Sequence, residues 1–307
     1  MKEAKKKFKN YAKRPSYSIK ERSIRWSLRT LAYLTVAVTL SILFILISDT
    51  VTFFRAYSPL DFFLGTRWEP FGEPKHLGVL PLVVGSLMIA AGSIAVAVPL
   101  GIGSAVYLTQ YAGKTVRETV GPVIEILGGI PTVVYGYFAL TVVTPLLRQI
   151  FPQIETFNAL SASIVVGISI MPMISSISSE SIRQVPSSIK HAGYALGMRK
   201  ISVILRIIIP AGLSGIISSV ILAFSRAIGE TMAVTLAAGA TPRMDVNYLE
   251  GVQTITAFIV QISLGDTPAG SIEYYTIYAL GLTLFGLTFF FNYIASVATK
   301  KFGEIYE

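Results

Sequence analysis

Cysteine is absent from the 307 residues, and histidine occurs only twice, at His76 and His191. Disulfides and thiol chemistry are thereby excluded, and a zinc site built from His and Cys has almost no ligands to draw on. Charge is scarce too: Asp, Glu, Lys and Arg make up 14% of the chain, against 52% apolar residues. A soluble domain carries about a quarter charged residues, so the balance points to a membrane protein. No phosphate-binding glycine loop is present either. Gly113-Lys114-Thr115 would close one, but the pattern requires glycine five residues earlier, where Leu108 stands. No nucleotide site is therefore expected in this chain. The net charge of +9 does not indicate nucleic acid, because the basic residues gather beside apolar runs and are not interleaved with aromatics.

Taken in order, residues 1–29 carry eleven Lys or Arg against Glu3 and Glu21 and read as a basic cytoplasmic tail. Residues 30–54 are too long an apolar run for a signal-peptide core and read as an uncleaved first span. Residues 55–78, rich in Pro, Gly and aromatics, read as an outer loop with Phe62, Phe63 and Trp68 at the membrane interface. A five-span core over 79–298 follows, with crossings expected at 79–107, 122–147, 159–178, 211–238 and 274–298, each near or above the ~20 residues that cross a hydrocarbon layer. Its cytoplasmic loop covers 179–210, its long polar outer loop 239–273 has room for a small helix or a docking surface, and 299–307 form a cytoplasmic C-terminus. Charge tests this topology: the tail, 108–121, 179–210 and the C-terminus hold twenty Lys and Arg, and the opposite loops hold five. Such asymmetry places both termini in the cytoplasm.

Several spans carry breaks or small residues. Pro99, Gly101 and Gly103 in the second, and Gly128, Gly129 and Pro131 in the third, free backbone groups that need protein or water partners. Gly212, Gly215, Ser218, Ser219, Ala223 and Ala227 in the fifth allow close helix packing. Tyr107, Tyr135 and Tyr137 read as packing or interface aromatics.

Chemistry is expected at two places. Arg226 is the one basic residue inside a span, and Glu230 follows four residues later in the middle of the same span, so the two are expected to share a helical face. An ionised group at membrane depth is unfavourable by about 3 kcal/mol or more, so it faces a partner, a pathway or water. A guanidinium binds a tetrahedral oxyanion through two parallel hydrogen bonds. Glu125 is a further carboxylate on the possible pathway. The second place is the stretch 191–210, HAGYALGMRKISVILRIIIP, where small Ala192, Gly193 and Gly197 on a short helix would let another protein approach closely. Pro210 is expected in the first turn of the next span.

That stretch resembles the signature of ABC-importer permeases: Glu-Ala-Ala, three residues, Gly, nine residues, Ile-x-Leu-Pro. His191, Ala192 and Gly193 stand at the triplet, Gly197 at the glycine, and Ile207, Ile209 and Pro210 at the close, with His191 in place of Glu, Gly193 of Ala and Ile209 of Leu. RAIGETMAV around Arg226 and GGIPTVVYGYFAL from Gly128 are similar to segments of bacterial phosphate permeases. LGVLPLVVGSL and FLGTRWEPFG resemble the PstC type of subunit more than its partner type, PstA.

The resemblance implies an all-α integral membrane protein of six transmembrane helices with the type I ABC importer permease fold. It implies a phosphate permease subunit of the bacterial inner membrane, with 191–210 as a coupling helix seated in an ATPase and Arg226 and Glu230 as the charged pair of the phosphate path. The implied partners are a PstA-like second permease, two PstB-like ATPases that bind ATP and Mg, and an extracytoplasmic phosphate-binding protein; no cofactor and no metal belong to this chain itself. The same residues suit a permease for another oxyanion, such as molybdate or sulfate, and a membrane subunit that signals phosphate status to a sensor kinase.

Overall fold

The computed structural model describes residues 19–303; most of the basic tail and the last residues of the C-terminus lie outside the described residues. Helix α1 (Ile19–Ala56) runs for 38 residues and begins well before the expected span, because no Gly or Pro interrupts it. Arg22, Arg25 and Arg29 are thus helical. The chain up to Asp49 forms one unit, and the chain from Thr50 forms another.

The second unit opens with α2 (Pro59–Leu64), which has Pro59 in its first turn and the Ser58 hydroxyl accepting from the Asp61 amide at 3.4 Å. A short antiparallel hairpin follows, β1 (Trp68–Glu69) with β2 (His76–Leu77), Trp68 opposite Leu77. Phe62 and Trp68 are buried, which corrects their expected place at the membrane interface; of the three aromatics only Phe63 is exposed. Trp68 meets Phe258 edge to face at 4.8 Å and shares a cluster with Phe53, Leu77, Leu82 and Leu280. Burying such side chains is favourable by about 2–3 kcal/mol each, so the hairpin is pulled onto the protein.

Helix α3 (Leu80–Val106) ends in a π-helical turn at Tyr107–Tyr111. The expected third crossing, 122–147, is split. Helix α4 (Lys114–Gly129) stops at Ile130, which is extended because it precedes Pro131, and α5 (Thr132–Ile150) forms the span. The Tyr135 hydroxyl staples the break by donating to the Leu127 carbonyl at 2.7 Å; Tyr107 and Tyr137 are exposed. Helix α6 (Ala159–Gln184), capped by Asn158 through the Ser161 amide at 2.7 Å, packs tightly along α3. A Cβ on Gly101 would come 2.8 Å from Ile174, so this crossing requires glycine.

Then come α7 (Ser187–Ala195), α8 (Lys200–Ala211) with a π turn at Ile204–Ile208, and α9 (Leu213–Ile228), bent by 69° from α8. Pro210 therefore lies at the end of α8, one turn earlier than expected, and the spanning helix starts past Gly212. The expected crossing 211–238 stops at Ile228, with α10 (Met232–Ala237) beyond it. The outer segment does contain a small helix, α11 (Ile255–Leu264), but it is apolar and its first turn is buried, with the Ile255 amide donating to Ser86 Oγ at 3.0 Å. Helix α12 (Ile272–Gly303) is the last described element. Among the described residues five helices are long and apolar enough to cross a membrane, and α8 with α9, counted as one bent span, makes a sixth.

Candidate functional site

The coupling stretch is built by a helix that ends in a specific way. Past Ala195, the Gly197 amide donates to the Tyr194 carbonyl at 2.9 Å and the Met198 amide to the Gly193 carbonyl at 3.2 Å. This pair of bonds is a Schellman motif, and its left-handed position is Gly197, at φ +75°. Gly197 therefore lies past the helix end, which corrects its expected place on the short helix beside Gly193. Gly193 has a separate role. It is buried, and a Cβ there would lie 2.7 Å from Ile207 Cδ1, so α7 rests directly on α8. The two ends of the signature, fourteen residues apart, are in contact. Val203, Ile204 and Ile208 continue this seat onto Ala105 of α3 and Ile216 of α9. The outer side of α7 remains uncovered: His191 and Ala192 are exposed, and so are Tyr194 and Leu196, the latter at 82%. Sequence reasoning overlooked these two, although a leucine beside a helix-ending glycine is a readable signal.

The charged pair is arranged differently from a helical i, i+4 pair. Arg226 occupies the last turn of α9, where a cation complements the helix dipole. Ser225 donates to Asn292 Oδ1 at 2.8 Å and Phe224 meets Phe291 edge to face at 4.8 Å, so α12 fixes the rotation of α9. Arg226 is exposed, with no hydrogen bond or ion pair among the described residues. Glu230 lies past the end of the helix, is buried, and receives at Oε1 the Thr231 amide at 3.2 Å and the Ala233 amide at 3.5 Å. Its own carbonyl accepts from Thr256 Oγ1 at 2.8 Å. The carboxylate thus satisfies the first amides of α10 and is not paired with Arg226.

Against this geometry, residues 97–302 match the family described as binding-protein-dependent transport system inner membrane component. The chain belongs to that family. Among similar permeases are a probable ABC transporter permease of Bacillus subtilis, 34% identical over 76% of this chain and 75% of its own length, and the phosphate transport system permease PstC of Mesorhizobium japonicum, 34% identical over 76% of each. PstC 1 of Mycobacterium tuberculosis is 30% identical over 79% of this chain and 82% of its own. The fold is that of a type I ABC permease. A bacterial alginate ABC transporter matches at TM-score 0.66 and 16% identity, covering 92% of this chain and 97% of that one; the inward-facing methionine transporter MetNI matches at 0.56 and 14%, covering 72% and 95%.

In this permease Glu125, the carboxylate of the possible pathway, is exposed and lines a cavity of about 550 Å³ between α4, α6 and α9. The cavity is separate from Arg226. It begins beside Gly215, eleven residues before Arg226 on α9 and therefore about 16 Å away along the axis.

Proposed function

We propose that this permease moves inorganic phosphate across the cytoplasmic membrane, with both termini on the cytoplasmic side. The observation that carries the reading is Arg226: an exposed guanidinium at the end of a spanning helix, without a partner among the described residues. Such a group at membrane depth needs an anion or a second chain opposite it, and its planar fork matches a tetrahedral oxyanion. Similarity to PstC permeases supports phosphate as that oxyanion.

The free energy comes from outside this chain. Two PstB-like ATPases bind ATP and Mg and close on α7, with Leu196 and Tyr194 presented beside the turn at Gly197. Because Gly193 rests on Ile207, displacement of α7 moves α8, and the bend at Gly212 passes the motion to α9 and Arg226. A PstA-like second permease faces Arg226 and an extracytoplasmic binding protein delivers phosphate. Glu230 holds the break between α9 and α10 in shape, so that Arg226 keeps its position while α9 moves.

The test is co-purification of the chain with its neighbours and ATP-driven uptake in liposomes. Phosphate uptake that excess sulfate and molybdate leave unchanged is expected. Uptake of either of those anions in preference to phosphate, or assembly without any transport, overturns the reading.

A further inference from the structure

The cavity beside Glu125 has a composition unusual for the inside of a membrane protein. Ser175, Ser176 and Ser179 of α6 and Ser214 of α9 line it, together with the carboxylates Glu125 and Glu180. The hydroxyls of Ser176, Ser179 and Ser214 make no hydrogen bond among the described residues, so they are available to whatever fills the space. Polar groups on spanning helices are retained where they face water or a pathway.

The position along α9 ties this cavity to Arg226. Gly215, Ser219, Leu222 and Arg226 follow one another at steps of four, three and four residues and share one helical face. Low on that face α6 lies close: a Cβ on Gly215 would be 2.4 Å from Ser181 Oγ, and Ser219 bonds Ser178 at 3.0 Å. Higher up, Leu222 and Arg226 emerge exposed. Ser178 and Ser219 are both buried, so the face between the cation and the hydroxyls is closed by this contact, and the passage opens only when α9 shifts against α6.

We propose that this cavity is the exit chamber of the anion path, where hydroxyls bind phosphate weakly and Glu125 and Glu180 prevent its retention; the inference rests on the phosphate reading above. Arg226 by itself would hold the anion. Hydroxyl donors replace part of its hydration, and two carboxylates repel it, with Arg183 the one cation on the rim. Release into the cytoplasm then needs no further conformational step.

Two measurements test this on the whole complex in liposomes. Ser176→Cys, in a chain with no native cysteine, is treated from the cytoplasmic side with an anionic and a cationic methanethiosulfonate of similar size, the untreated and parent complexes serving as controls. The anionic adduct is expected to lower phosphate uptake at least tenfold and the cationic adduct less than threefold. Equal effects, or none at full labelling, overturn the proposal. Separately, Glu125→Gln combined with Glu180→Gln is expected to tighten phosphate binding to the nucleotide-free complex about tenfold, and unchanged affinity overturns it too. A parent complex that carries no phosphate refutes instead the phosphate reading itself, before any variant is made.

Discussion

Gly197 separates two explanations of the coupling signature that predict opposite orders of severity. Its φ of +75° is left-handed, and among the described residues a Cβ built there meets no atom beyond its chain neighbours within 4 Å. The penalty of a side chain is therefore one of backbone conformation only, about 1–2 kcal/mol for an ordinary L-residue. That lowers the population of the native turn relative to its alternatives by a factor of about 5–30. Asparagine, which enters this region more readily, loses less than alanine although it is larger. If instead Gly197 is glycine because the ATPase tolerates no volume there, alanine must be the milder change. We expect Gly197→Asn to keep most of the uptake per ATP hydrolysed, Gly197→Ala to lose more, and Gly197→Glu to reach the membrane but uncouple hydrolysis from uptake. Phosphate uptake and ATPase activity of the three reconstituted complexes decide the matter. Alanine outperforming asparagine would refute the backbone argument, and normal coupling in the glutamate variant would remove ATPase docking from this turn.

The remaining expectations concern the charged pair, topology and packing. Arg226→Lys keeps the charge and loses the fork, so uptake should fall at least tenfold while the complex still assembles; unaltered uptake would count against an anion role. Glu230→Ala leaves the amides of Thr231 and Ala233 without an acceptor and should lower stability by about 1–2 kcal/mol, whereas Glu230→Gln keeps one oxygen and should lose less, as thermal denaturation of the purified complex will show. Because no pairing with Arg226 is present, the double change to Gln should not recover uptake beyond Arg226→Gln alone; recovery would mean that the two charges meet in another state. A cysteine at exposed Val246 should react with an impermeant thiol reagent from outside intact cells and one at Ser187 should not, and the reverse pattern would invert the topology. Gly215→Val drives a side chain into Ser181 and should destabilise the complex by about 1–3 kcal/mol, visible as a lower melting temperature.

The number of spans, their approximate places and the coupling stretch were legible in the linear chain because they rest on local quantities. Apolar length measures the hydrocarbon layer directly, and the asymmetry of twenty basic residues against five is what the proposed orientation rests on. The expected break at Pro131 is equally local, since a proline restricts the residue before it. What only the tertiary structure decided is where helices stop and which face a side chain takes. Arg226 and Glu230 have the spacing of a helical pair, but α9 ends at Ile228, and the carbonyl released at Glu230 is taken by Thr256 from α11, a partner 26 residues away. Phe62 and Trp68 look like interface aromatics until α11 and α12 supply Phe258 and Leu280 to bury them. Gly193 and Gly197 look alike in sequence and differ in cause: the one makes room for Ile207, the other turns the chain. The turn at Gly197 is local, but the seat of Gly193, the burial of Trp68 and the partner of the Glu230 carbonyl each depend on a contact between residues distant along the chain, and such contacts leave no periodicity in the sequence.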